Sequence, residues 1–199
     1  MLFIAVKITA KAAIFKSANF YRQDRVDFLG FIYFEQIDEE NVKITGELSS
    51  LSQNEHGFHI HDLGDLNNYC NDAQGHFNPE NKDHGAPTDS VRHVGDLGNI
   101  KVGRYDKKAK INMTDGMIKL VGPHSIIGRA VVVHQRRDDL GRGGDDESKI
   151  TGNAGQRIGC GIIGITSVDY NPADKSGSSG LAVNFFLLIG LSFLLGVKC

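Results

Sequence analysis

Short apolar segments in two-residue alternation, each closed by a polar turn, run through most of this chain and leave no stretch with a helical period. Residues 12–16, 27–35 and 41–48 are rich in Ile, Val, Phe and Tyr. Residues 57–61 alternate in the same way. The signal resumes at 97–103, 109–113, 117–121 and 129–134, and 157–167 closes the region. Successive strand side chains point to opposite faces, so this pattern half-buries each segment against a shared core. The chain has 24 glycines but only 4 prolines, which supplies turns and bulges rather than low-complexity coil. The expectation is an all-β, eight-stranded Greek-key barrel or sandwich, immunoglobulin-like in architecture.

Two segments break the rhythm. Residues 62–96 and 135–156 are polar, rich in Gly, Asn and Asp, and without periodicity. Compact domains rarely carry structureless loops beyond ~12–15 residues unless those loops work. Both are therefore read as functional loops. At the N-terminus the apolar run stops at Lys7 after six residues. A secretory h-region needs ~7–15, so residues 1–11 read as an extra strand, with a weak signal as the alternative. Beyond the β region, 12–168, residues 169–180 have linker composition. Residues 181–199 form an apolar tail, in which 181–197 is interrupted only by Asn184 and Ser192 as polar residues. As a helix, 181–197 would reach ~26 Å at 1.5 Å per residue, slightly short of a ~30 Å bilayer core. Membrane association through 181–197 is expected, with a packed C-terminal extension as the alternative. A glycolipid-anchor signal fits less well, because it wants a polar spacer of ~8–12 residues and only Ser179 and Gly180 would serve.

Charge and cysteine usage exclude some classes. Lys plus Arg is 22 and Asp plus Glu is 24, so no basic excess points to nucleic acid. Three cysteines permit one bridge and one spare thiol, not a disulfide framework.

The histidines are unevenly placed. Of 8, six lie between positions 56 and 93. His59 and His61 sit two apart in a strand-like segment and so share a face. His76, His84, His93 and Asp96 follow in the first long loop. Three imidazoles and a carboxylate suit a closed tetrahedral zinc site. His59, His61 and a further imidazole suit copper, which favours nitrogen ligation. His134, at the end of the strand before the second loop, supplies that candidate. His56 and His124 are left for structural or surface roles.

The segments GFHIHDLGD, GHFNPENKDHGAP, RHVGDLGN, IIGRAVVVH, DDLGRGG and TGNAGQRIGCGIIGI occur in this order. Together they resemble eukaryotic Cu/Zn superoxide dismutase, from about Ala12 to Ser167. The resemblance implies an oxidoreductase that turns two superoxide anions into dioxygen and hydrogen peroxide by Cu(II)/Cu(I) cycling at a histidine-bridged site. One copper ion and one zinc ion per subunit are implied. His59, His61, His76 and His134 resemble the copper ligands. His76, His84, His93 and Asp96 resemble the zinc ligands, with His76 bridging both metals and passing a proton to the peroxide. Asp138 resembles the carboxylate that links His59 to His84. Cys70 and Cys160 resemble the intrachain disulfide, and Arg157 the anion-guiding arginine. A homodimer through segments like 126–128 and 161–165, and loading by a copper chaperone, are implied as well. A catalytically silent copper-delivery module on the same fold is the runner-up, but such modules lose copper ligands and all four are present. A purely structural zinc domain would leave His59, His61 and His134 unexplained. The tail favours a membrane-associated or extracellular location; the cytoplasm is the alternative.

One departure concerns charge. Where the family has a lysine just before the TGNAG run, this chain has Ile150, with Lys149 one position earlier. A positive funnel raises anion on-rates by ~10–10³, so steering should be weaker here. The bimolecular rate with superoxide is expected to fall less steeply with ionic strength than in a relative that keeps the lysine. An equally steep slope would refute this.

Overall fold

The computed structural model describes residues 6–17 and 27–170, and nearly all of their regular structure is strand. In chain order these are β1 (Val6–Lys16), β2 (Phe28–Gln36), β3 (Val42–Leu48), β4 (Glu55–Ile60), β5 (Asp96–Lys101), β6 (Ala109–Asp115), β7 (Ala130–His134), β8 (Arg157–Ile162) and β9 (Gly164–Tyr170). The helical exceptions are a 3-10 turn at Asn71–Ala73 and a one-turn helix, α1 (Ser148–Thr151). Eight strands form one path, β5-β4-β7-β8-β1-β2-β3-β6, with β9 paired to β1. Its ends approach where Val102 and Ala109 form an isolated bridge, so the barrel is nearly closed. The neighbours β4 and β7, β3 and β6, and β8 and β1 are distant in sequence, as the Greek-key expectation requires.

The alternation read from the sequence points into the barrel. Val42, Ile44 and Leu48 of β3 are buried, as are Ile32 and Phe34 of β2 and Phe58 and Ile60 of β4. β7 is buried on both faces, for two different reasons. Val131 and Val133 belong to the barrel core. Ala130 and Val132 face outward into a second, smaller cluster with Cys70, Ala73 and Cys160. That cluster lies under the first long loop, which a Cys70–Cys160 disulfide staples to β8 (S–S 2.06 Å). Outward-facing positions of β4 and β7 are thus covered by loop instead of solvent.

Two strand expectations need correction. Residues 117–121 are not a strand. Asp115 Oδ1 accepts the N–H groups of Met117 and Ile118 at 2.8 and 2.9 Å and turns the chain at the end of β6. Ile118 and Leu120 still bury their side chains, which produced the alternation, but only an isolated bridge joins Lys119 to Ser125. Residues 157–167 are two strands and not one. At Ile163 the backbone leaves the ladder: its N–H bonds Arg129 O at 3.0 Å and its carbonyl accepts Gly128 N–H at 2.9 Å. At the N-terminus, residues 6–11 pair with β9 along the first half of β1. Asp169 and Tyr170, read as the start of the linker, instead end β9, paired with Lys7 and Val6. Residues 1–5 and 18–26, the rest of the linker and the apolar tail (171–199) lie outside the described residues. Among the described residues no helix is long and apolar enough to cross a membrane.

The disulfide closes a span of 90 residues. In the chain-entropy model such a loop contributes about 4–5 kcal/mol by restricting the unfolded chain. A Cys70→Ser/Cys160→Ser variant should lose about that much in urea-unfolding free energy at matched metal loading. A loss below about 1 kcal/mol would mean that the bridge does not restrict the unfolded chain in this way.

Candidate metal centre

Strand alternation decides where the histidines go. Phe58 and Ile60 fill the barrel, so His59 and His61 project outward. Val131 and Val133 do the same on β7, so Val132 and His134 project outward beside them. β4 and β7 are neighbours, with His59 opposite Val132. β7 and β8 are neighbours, with His134 opposite Arg157. The first long loop then lays His76, His84 and His93 over this face and ends at Asp96, the first residue of β5. All the histidine and aspartate candidates are buried.

Among the described residues these side chains gather into two sets with a shared member. His59, His61, His76 and His134 form one, and His76, His84, His93 and Asp96 the other; within each, the donor atoms lie within 4.8 Å of one another. The hydrogen bonds on the far side of each ring fix which nitrogen faces inward. His59 Nε2–H donates to Asp138 Oδ2 at 2.9 Å, His61 Nδ1–H to Gln74 O at 2.7 Å, and His134 Nδ1–H to Gly155 O at 3.0 Å. A neutral imidazole that donates from one nitrogen presents a lone pair from the other. His61 Nε2 and His134 Nε2 therefore face each other as two lone pairs, 3.2 Å apart. His59 Nδ1 and His76 Nε2 are buried without any hydrogen-bond partner.

In the second set, three Nδ1 atoms converge on one carboxylate oxygen. His76, His84 and His93 lie 2.8, 3.0 and 3.1 Å from Asp96 Oδ1. His84 Nδ1 is close but without hydrogen-bond geometry, because its Nε2–H is committed to Asp138 Oδ1 at 2.8 Å. Asp96 Oδ2 accepts the backbone N–H of His93 and of Gly85, which orients Oδ1 toward the rings. A third group, His59, His84 and Asp138, is also tight. There both rings donate to the carboxylate, so it is a hydrogen-bonded bridge between the two sets and not a separate ligand set.

Protonation follows this arrangement. Burial, reinforced by the His76 and His134 rings, pushes both His59 and His61 well below the usual imidazole range. Burial takes His134 down to about 3. Burial also lowers His76, against the pull of Asp96. For His84 burial is outweighed by Asp138 and Asp96, which raise it to about 9. Burial works against the charge of Asp96, but hydrogen bonds from His76 and His93 and the close His84 ring hold it well below the carboxylate range. The first set thus offers neutral lone pairs, and the second offers a fixed negative charge among imidazoles. Both can hold a cation, and ligand type matches copper for the nitrogens and zinc for the His₃Asp group.

The structure brings together every residue named from the sequence for the two sets, with Asp138 between them. Arg157 borders the first set. Its guanidinium donates to Cys70 O at 2.6 Å, Asn71 O at 3.0 Å and Gln74 O. Gln74 O also accepts from His61, so one carbonyl ties the arginine to the imidazoles. His56 is no surface residue. It is fully buried and its Nδ1–H holds the carbonyl of His134 at 2.7 Å. His124 pairs with Glu80 at 3.0 Å, away from both sets. Lys149 lines a cavity with Asp83, Asp89 and Arg142, apart from the one that Arg157 lines. Ile150 is 59% exposed.

Sequence reasoning missed Gly152. A Cβ there would lie 1.9 Å from Asp138 Oδ1 and 2.5 Å from His84 Nε2, and its φ is +65°. Only glycine leaves room for the Asp138–His84 bond at this left-handed turn after α1. Asp138→Asn keeps the shape but presents an N–H₂ to one of two ring N–H groups. Loss of such an orienting partner typically costs 10–100-fold in metal affinity, so chelator competition should read a loss of about that size. Unchanged affinity with an unchanged fold would show that Asp138 does not orient the rings.

Comparison with known proteins agrees with the geometry. The family model "Copper/zinc superoxide dismutase (SODC)" matches residues 28–163. The chain is 54% identical over 146 residues to "Superoxide dismutase [Cu-Zn] 5" of Dictyostelium discoideum, covering 73% of this chain and 94% of that protein. A barrel with its imidazoles turned outward under two loops, and a sequence that follows this family across most of its length, lead to one conclusion: the chain belongs to the copper/zinc superoxide dismutase family.

Proposed function

We propose that His59, His61, His76 and His134 hold the copper and that His76, His84, His93 and Asp96 hold the zinc of this superoxide dismutase. The observation that carries the assignment is the pair of lone pairs at His61 and His134, 3.2 Å apart, beside the unpartnered His59 Nδ1, His76 Nε2 and His84 Nδ1. Buried polar atoms are normally satisfied, and a cation at each set satisfies all of these at once. Bound copper supplies a one-electron redox centre, and bound zinc, which has no redox chemistry, supplies charge and shape.

The protein's own residues do the rest. Two superoxide anions and two protons become one dioxygen and one hydrogen peroxide. Arg157 attracts and orients the anion with a permanently charged planar fork, fixed by three loop carbonyls. His76 Nε2, which faces the first set without a hydrogen-bond partner, is the atom at which the ring can hold a proton for the peroxide, while Nδ1 faces the second set beside Asp96. Asp138 keeps His59 and His84 in the tautomers that present Nδ1 inward. The loop over β4 and β7 keeps the imidazoles buried, and burial holds His59, His61, His76 and His134 toward the neutral form. Elemental analysis should find about one copper and one zinc per chain, and His61→Ala should lose copper and dismutation while retaining zinc. Zinc alone, with no dismutation after copper loading, would overturn the assignment.

Assembly and location belong to the same proposal. Ile162 and Ile165 are about half exposed, at 49% and 52%, on a face suited to a second copy. Light scattering should give twice 21.7 kDa, and Ile165→Glu should halve it; a monomeric parent chain would discard the dimer. Copper delivery by a chaperone should outpace uptake from free ion, because the imidazoles are buried; equal rates would remove the need for one. Association of residues 181–197 with a membrane should place the full chain in the membrane fraction and a chain ending at Gly180 in the soluble one. Full solubility of both would remove the anchor.

A further inference from the structure

Behind the segment that joins His134 to Asp138 lies an open cavity of about 660 Å³. Four cationic side chains line it: Lys101 from the end of β5, Arg104 just beyond, and Arg136 and Arg137 after β7. Glu55 is the one carboxylate in its lining, and Arg137 Nε already holds it at 2.8 Å. Among the described residues no carboxylate pairs with Lys101, Arg104 or Arg136. The excess of positive charge is local, since the chain as a whole carries −2. The walls are fixed by the backbone. Gln53 Nε2–H donates to Arg104 O at 2.8 Å, Val102 N–H to Asn54 O at 3.1 Å, and Arg136 N–H to Ala154 O at 2.9 Å.

Like charges held around one concavity repel unless an anion joins them. A small monoanion such as superoxide reaches too few of them to balance the three that no carboxylate pairs. Guanidinium forks match phosphate oxygens two at a time, and the volume falls in the ~300–1,000 Å³ range of small-molecule sites. We propose that this cavity binds a chain of two or three phosphates, free or carried on a nucleoside, through Lys101, Arg104, Arg136 and Arg137. The site is distinct from the metal-binding imidazoles and does not depend on their assignment.

The test is calorimetric titration of the metal-loaded full chain with tripolyphosphate and, separately, with ATP. Salt near 0.15 M limits the range of diffuse attraction to roughly 8 Å. One site per chain is expected. Lys101→Glu/Arg104→Glu should weaken both ligands at least tenfold, and Lys101→Gln/Arg104→Gln by less. Lys7→Glu/Lys11→Glu makes the same charge change on exposed positions of β1 and should leave affinity within twofold. Equal affinities for the two ligands assign recognition to the phosphates alone; tighter ATP adds the nucleoside, and both support the site. No binding at millimolar ligand overturns it, as does an equal loss in the β1 variant. Binding that survives Lys101→Glu/Arg104→Glu also overturns it, since that is the behaviour of a phosphate chain extracting metal.

Discussion

Two imidazole lone pairs held 3.2 Å apart in a buried site repel each other unless a positive charge stands between them. Much of the molecule serves to hold that arrangement. Backbone carbonyls of Gln74 and Gly155 take the outer N–H groups of His61 and His134. Asp138 takes those of His59 and His84 with its two oxygens. Each outer bond removes the ring's freedom to turn its proton inward. Burial then disfavours a second proton on His59, His61 and His134. What remains is a set of neutral donors that a metal cation can satisfy.

The barrel contributes rigidity by what it keeps inside. Phe58, Ile60, Val131 and Val133 anchor β4 and β7 to the core, and the intervening positions are thereby aimed outward. The disulfide, the Arg157 carbonyl contacts and the small cluster around Ala130 and Val132 bind the first loop to that outer face. His56 adds a second tie, from the barrel side, to the backbone of His134. Arg157 and the His61 ring therefore share a support at Gln74, and displacement of the loop would move both.

Most of the site was legible before the fold was known, because ligand chemistry requires particular residue types. No other pattern in the chain explains His59, His61, His76, His84, His93 and Asp96 so close in sequence, and His134 and Asp138 flank the start of the second loop. Less legible were the groups that act through backbone or through absence. Gln74 and Gly155 contribute carbonyls, which every residue has. Gly152 contributes the missing Cβ, which no composition rule distinguishes from the other glycines. The strand errors have the same root. At 117–121 the side chains alternate between core and solvent as a strand would, but Asp115 captures the backbone N–H groups. At Ile163 a fully apolar stretch conceals a break, because the partner that interrupts the ladder, the Gly128–Arg129 turn, is remote in sequence.

Sequence alone determined the all-β class, the two long loops and the candidate metal ligands that the structure gathers. Period-two alternation and ligand type are local properties that each segment carries by itself. Tertiary structure decided which nitrogen of each ring faces inward, that Asp138 bridges the two sets, and that four cations surround one cavity behind them. Those outcomes depend on which strands become neighbours and where loops cross. Contacts between residues far apart in the chain are created by packing, and no segment encodes them on its own.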